Sequence, residues 1–177
     1  SAGFETIGSP EVFIAGVAER TKRIRLGTGV SSLSYHHPFI LADRIAQLDH
    51  QLRGRAMFGV GPGQLPSDAF MIGMHPTEQR DQMTASLEAL VALLEGKVVN
   101  MDTKWFKLVN ARLQILPYQS PRIEMAVACA MTPHGPMQAG RHGIAMLSVA
   151  ASSGPGFAAL PDHWRICENE AAKNGHK

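Results

Sequence analysis

The stretch Ile24-Arg25-Leu26-Gly27-Thr28-Gly29-Val30-Ser31-Ser32-Leu33, continued by Ser34-Tyr35-His36-His37-Pro38, decides the fold. Ile24, Leu26, Thr28 and Val30 alternate with Arg25, Gly27 and Gly29, which predicts a buried strand running into a Gly-rich bend. A loop then opens a helix near Pro38. Two glycines on one strand leave a face without side chains, where another backbone or a flat ligand can come close. The same bare face also makes packing room for a neighbouring helix, and this stretch alone leaves both open.

On its N-terminal side, Ser9-Pro10-Glu11 is a helix start: Ser9 suits the N-cap, Pro10 the first turn and Glu11 the positive end of the dipole. Val12, Phe13, Ala15, Gly16 and Ala18 give that helix one apolar face, and the basic run Arg20 to Arg25 closes it beside the strand. On the C-terminal side, a second helix is expected from about Pro38 to Leu52, with Ile40, Leu41, Ile45 and Leu48 at helical spacing and Arg53-Gly54 as its stop. Ala56 to Gly61 is a second short apolar strand, and Pro62 to Asp68 a long loop after it. Thr77-Glu78-Gln79-Arg80 starts a long helix with Met83, Leu87, Leu90, Val91 and Leu94 on its buried stripe and Gly96 at its end.

Val98 to Met101 and Trp105 to Val109 form a small hairpin excursion. Ile123 to Ala130 is the third strand, followed by a short helix ending at Gly143, and Ile144 to Val149 is the fourth. A Gly/Ser/Pro loop from Ser152 to Gly156 and a last helix from about Pro161 to Asn174 finish the chain. Alternating strands and helices, with each strand short and apolar, call for an α/β fold of about four parallel strands with right-handed helical crossovers. That is either a doubly wound sheet or part of a (β/α) barrel, which needs about eight strands to close.

The 177 residues, 45% apolar and 18% charged, are of single-domain size and globular composition. A net charge of +2 is too small to argue for nucleic acid or a membrane surface. Cys129 and Cys167 show no metal or disulfide spacing, and no metal site is expected. Ser1 to Glu5 has neither the basic nor the apolar region of a secretory signal, so a cytoplasmic setting is expected.

In either parallel architecture, ligands bind at the C-terminal strand ends, where four loops qualify: Ser31 to Pro38, Gly61 to Asp68, Cys129 to Gly135, and Ala150 to Gly156. Gly59-Val60-Gly61-Pro62-Gly63 is not a dinucleotide fingerprint, because no helix begins within its glycines. Thr132-Pro133-His134-Gly135 at a helix start can hold a phosphate or be a plain cap. Arg80 can fork onto oxyanions or be a solvated surface residue. His36-His37-Pro38 suits a loop-structural or stacking role better than metal binding. His50, His75, His142, His163 and His176 are isolated and expected on the polar surface.

With those residues in place, the chain resembles the luciferase-like, flavin-dependent monooxygenases, the family of the bacterial luciferase alpha subunit and of alkanal and limonene monooxygenases. The run from Glu19 to Gly63 carries most of the resemblance, with its RLGTGV strand, HP loop, LD helix, GR turn and FGVG strand. EALVALLEG, RLQILPYQSP and AMTPHGPMQAGRHG extend it over nearly the whole chain. It implies one domain over residues 1–177, part of a TIM-like (β/α)8 barrel. It also implies FMN at the C-terminal strand ends, reduced by a separate flavin reductase and reacting with oxygen to oxidise a small organic substrate. Homo-oligomers, usually dimers built through the region of the first two helices, are implied too.

By motif, Gly29-Val30 matches the bulge on which the flavin ring rests, often with a non-proline cis peptide. Gly61 matches the strand end facing the flavin, where luciferase has a cysteine. Arg80 matches the arginine that binds the FMN phosphate. Ala128, Cys129, Thr132 and Gly135 match the phosphate and ribityl loop. The resemblance assigns no catalytic residue within the chain, since the family's Glu-His-His segment would fall before Ser1. The first strands and the last strands of the barrel would likewise lie outside these residues. Two further readings stand beside an FMN-dependent monooxygenase: a non-catalytic half-barrel that associates with itself or a partner, and a deazaflavin-dependent oxidoreductase of the same fold.

Overall fold

A computed structural model describes residues 6–176, and the pentapeptide considered for a secretory signal lies outside them. Helix α1 (Pro10–Arg20) leads to strand β1 (Leu26–Ser32), a 3-10 turn at Leu33–Tyr35 and helix α2 (Pro38–Leu52). α2 ends as its sequence predicts, because Arg53 and Gly54 take left-handed φ values of 52° and 78°. Strand β2 (Ala56–Gly61), short helix α3 (Pro66–Met71) and long helix α4 (Gln79–Leu94) follow. The hairpin of β3 (Val99–Asp102) and β4 (Lys107–Ala111) then precedes β5 (Glu124–Cys129). Helix α5 (His134–His142), strand β6 (Ala145–Ser148) and helices α6 (Gly154–Ala158) and α7 (Leu160–Lys173) complete the described chain.

The four main strands pair in parallel in the order β1-β2-β5-β6, so each crossover joins spatial neighbours and the sheet is a partial (β/α) barrel. Residues paired across parallel strands share a face. Phe58 with Met125, and Val60 with Val127, pack with the helices' Leu41, Ile45, Leu52, Met83, Leu87 and Leu90 as the core. Each such buried side chain contributes about 2 kcal/mol. The opposite face carries Gly27, Met57, Gly59, Ala126, Ala145 and Leu147, small or partly exposed, with the Arg25–Glu124 ion pair at 2.5 Å along it. In a closed barrel this face lines the interior.

β1 is shorter than its sequence suggested, and its alternation breaks. Thr28 opposes Phe58 but Ser31 opposes Val60, so β1 holds one extra residue at Gly29-Val30. Thr28 and Ser31 are therefore buried while Gly29 and Val30 are exposed. Gly59 makes this bulge possible, because a Cβ there would lie 2.0 Å from the Gly29 carbonyl oxygen and 2.7 Å from that of Thr28. The Thr28 hydroxyl donates to the Gly59 carbonyl at 3.2 Å and pins the bulge to β2.

Other expectations shift as well. On α1 the buried residues are Ile14 and Ala18, whereas Val12 and Phe13 face solvent; on α2, Ile40 is also exposed. The supposed loops Pro62 to Asp68 and Ser152 to Gly156 contain the starts of α3 and α6, each opened by a proline in its first turn. His163 is buried rather than on the surface, and burial with the nearby Arg141 and Arg122 pushes His142 down to about 4. Asp49, fully buried, accepts from the Gln119 backbone N–H and side-chain amide, both at 2.8 Å, tying α2 to the connector before β5.

Candidate active site

The loops at the C-terminal ends of the parallel strands converge on one cleft of about 1310 Å³. Val30, Ser31, Tyr35 and His36 line it from β1 and the turn after it, Pro62 to Leu65 from the loop after β2, and Ala128, Thr132, His134 and Gly135 from β5 and the start of α5. Val149 closes it from the end of β6, and Arg80 reaches it from the first turn of α4. Local sequence explains the walls. Gln79 Nε2 donates to the Tyr35 hydroxyl at 2.9 Å, and Gln82 Nε2 donates to the Ser34 carbonyl at 2.9 Å, so α4 holds the turn after β1. The Ser34 hydroxyl donates to the Pro62 carbonyl, joining that turn to the β2 loop. Gly63, at φ +85°, brings backbone against Tyr35, where a Cβ would stand 2.6 Å from the phenol oxygen.

The sequence-expected residues divide. Val30, Arg80, Ala128, Thr132 and Gly135 line the cleft. Gly61 lies between two of them: a Cβ on it would meet Val30 Cγ1 at 2.8 Å and Ala128 Cβ at 3.5 Å. At Gly29 a Cβ would meet nothing within 4 Å, so the bulge presents open, bare backbone. The peptide there is not cis; among the described residues the cis bond is Ser120–Pro121. Cys129 departs most from expectation. Its side chain is 1% exposed, its thiol donates to the Val127 carbonyl at 3.4 Å, and burial pushes it up to about 12, so the thiol is turned from the cleft and stays protonated. Gly135 must be glycine because its α-carbon rests on Cys129, whose Sγ would lie 2.8 Å from a Cβ.

Among the described residues Arg80 makes no ion pair, leaving its guanidinium available at the rim. Among the described residues no side chain caps α5, and Pro136 carries no N–H, so the first-turn amides left without a partner there are those of His134 and Gly135. His36 accepts from Arg44 Nη2 at 3.3 Å through Nδ1, and burial with that guanidinium holds it below its usual range. The stacking role expected of the His-His pair falls to His37, edge-on to Phe106 at 6.0 Å. Reading the sequence alone missed Tyr35 and Gln79 on the cleft wall, and Gln82 holding the Ser34 carbonyl beside it. A signal was present: Gln79, Gln82 and Ser86 share the helix face of Met83, Leu87 and Leu90, and polar residues on a buried stripe need a reason. Among the described residues no group of three or more His, Cys, Asp or Glu could hold a metal, and no helix is long and apolar enough to cross a membrane.

The luciferase-like monooxygenase signature matches residues 2–177. The chain belongs to the luciferase-like monooxygenase family. It is 46% identical to limonene 1,2-monooxygenase of Rhodococcus erythropolis, over 99% of this chain and 45% of that protein. It is also 46% identical to 4-hydroxyprotoasukamycin monooxygenase of Streptomyces nodosus subsp. asukaensis, over 99% of this chain and 48% of that one. The crystal structure of the monooxygenase RslO1 from Streptomyces bottropensis superposes with a TM-score of 0.83 at 27% identity, covering 96% of this chain and 51% of RslO1. The chain thus spans about half the length of the curated relatives it matches.

Proposed function

We propose that this luciferase-like chain is the cofactor-holding part of an FMN-dependent monooxygenase, acting with reduced FMN from a separate flavin reductase and with molecular oxygen on a small organic substrate. One observation carries the reading: one cleft runs from Val30, the neighbour of the bare Gly29 backbone in the bulge, to the Arg80 guanidinium, which makes no ion pair among the described residues. The residues fit that cofactor. Bare backbone lets a planar ring lie in van der Waals contact, and the cleft volume exceeds the roughly 300–1000 Å³ of ordinary ligand pockets. Arg80 and the His134 and Gly135 amides would hold the phosphate. Both relatives at 46% identity are named monooxygenases, which favours FMN and oxygen over hydride transfer to a deazaflavin.

Reduced FMN, when bound, supplies the electron pair with which oxygen is split between the substrate and water. The chain's own residues bind and orient. Val30 and Ala128, on either side of Gly61, would offer an apolar surface to a flavin ring held in the cleft. Tyr35 is fixed by Gln79, and burial with the Asp68 carboxylate raises its phenol, so it remains a proton-bearing donor on the cleft wall. Homo-oligomerisation belongs to the same proposal, supported by apolar residues exposed on α1 and α2.

The test is a flavin titration of the chain beside Arg80→Ala. Losing a charge-assisted contact of about 1.5–3 kcal/mol predicts roughly 10- to 100-fold weaker FMN binding. Riboflavin, which lacks the phosphate, should bind both proteins alike. Absence of saturable FMN binding would refute the reading, and a clear preference for a deazaflavin would replace the cofactor.

A further inference from the structure

Thr84, one helical turn beyond Arg80, stands between α4 and α5. Its hydroxyl carries one proton, which it donates to the Arg80 carbonyl at 3.0 Å. Its oxygen must then accept from Gln138 Nε2 at 3.3 Å and from His134 Nε2 at 3.1 Å. Nε2 of His134 therefore bears a hydrogen, which leaves Nδ1 as the nitrogen that can gain or lose one. Among the described residues nothing hydrogen-bonds to Nδ1, and His134 lines the cleft beside Gly135 and Arg80.

Resting on the flavin-phosphate reading above, we infer that His134 is a proton-linked ligand of the cofactor phosphate. Nδ1 takes a proton from solvent as the phosphate dianion binds, donates a hydrogen bond to it, and returns the proton on release, while Nε2 stays committed to Thr84. No covalent bond forms or breaks.

The surroundings set the direction of the linkage. Without an anion, burial first and the Arg80 guanidinium second hold the imidazole neutral below its usual 6.5, and the Asp81 carboxylate opposes them. Arg80 and Asp81, both of α4, are the charged groups acting on His134. A dianion beside Arg80 offsets the guanidinium and favours the imidazolium. Affinity for a phosphate-bearing flavin should therefore rise as pH falls through this window, by up to about tenfold per pH unit for one linked proton. The phosphate's own second ionisation, near pH ~6, works the other way as it protonates. His134→Gln keeps a donor for Thr84 and separates the two effects.

Calorimetric titration of the chain with FMN, in buffers of different ionisation enthalpy near neutral pH, counts the protons taken up per flavin. Wild type should take up more than His134→Gln, by as much as about one proton, and riboflavin should show no such difference. Imidazole NMR supplies a second readout: inorganic phosphate should move the His134 titration midpoint upward. FMN that binds with equal proton uptake in the two proteins overturns the inference and leaves the proposed function standing. A His134 midpoint that phosphate raises, in a chain that fails to bind FMN, upholds the anion site and overturns the flavin reading. A midpoint that phosphate leaves in place overturns the inference whatever FMN does.

Discussion

Gly59→Ala is the substitution that tests the central geometry. The added Cβ would stand 2.0 Å from the Gly29 carbonyl oxygen, 2.7 Å from the Thr28 oxygen and 2.8 Å from the Gly29 carbonyl carbon. All three are backbone atoms, so no side chain can swing aside. Ordinary contact needs about 3.5 Å, and relief requires the β1 bulge to lift from β2 by more than ~1 Å. Overpacking of this kind costs about 1–3 kcal/mol, and a backbone obstacle puts the expectation at the upper end. For a chain of this size ~3 kcal/mol lowers Tm by roughly 6–12 °C. The Thr28 hydroxyl bond to Gly59 is stretched or lost with it. Gly29→Ala is the control, because its Cβ would meet nothing within 4 Å and its φ is not in the left-handed region. Its stability should stay within about 0.5 kcal/mol of wild type, while its methyl group obstructs the bare platform and weakens flavin binding. Thermal unfolding followed by circular dichroism, with a flavin titration of each folded variant, reads both effects. Equal stability of the two variants would refute the argument that Gly59 exists to admit the bulge.

Two further expectations follow from other parts of the molecule. His142 is held down to about 4 from its usual 6.5, so the unfolded chain binds its proton first. Stability from this group is complete above about pH 6.5 and is lost as pH falls towards 4. The decline in urea midpoint over that window should be shallower in His142→Gln, and parallel declines would remove His142 as a cause. Among the described residues β1 and β6 are the outer strands of the sheet, and Val12 and Phe13 expose apolar surface on α1, so the chain should self-associate. A monodisperse monomer by light scattering at micromolar concentration would contradict this.

The sequence by itself determined the number and parallel sense of the main strands, because short apolar runs separated by helix-period stripes call for parallel strands with helical crossovers, while the order β1-β2-β5-β6 came from the structure. It also located α2 from Pro38 to Leu52 and β2 from Ala56 to Gly61 residue for residue, since Pro38, Arg53 and Gly54 act through their own backbone preferences. Arg80, Thr132 and Gly135 were legible as cleft residues through motif alone. Only the tertiary structure decided which way side chains point. Cys129 stands at a strand end yet packs inward, because strand alternation puts it on the face of Met125 and Val127. Val12 and Phe13 sit in an apolar helix yet face solvent, since the packed face of α1 is fixed by α2 and β1. Tyr35 with Gln79, and His134 with Thr84, are separated by 44 and 50 residues and meet only when α4 crosses the sheet. Local propensity acts over a few neighbouring residues, whereas a hydrogen bond depends on where the whole backbone has carried its two ends.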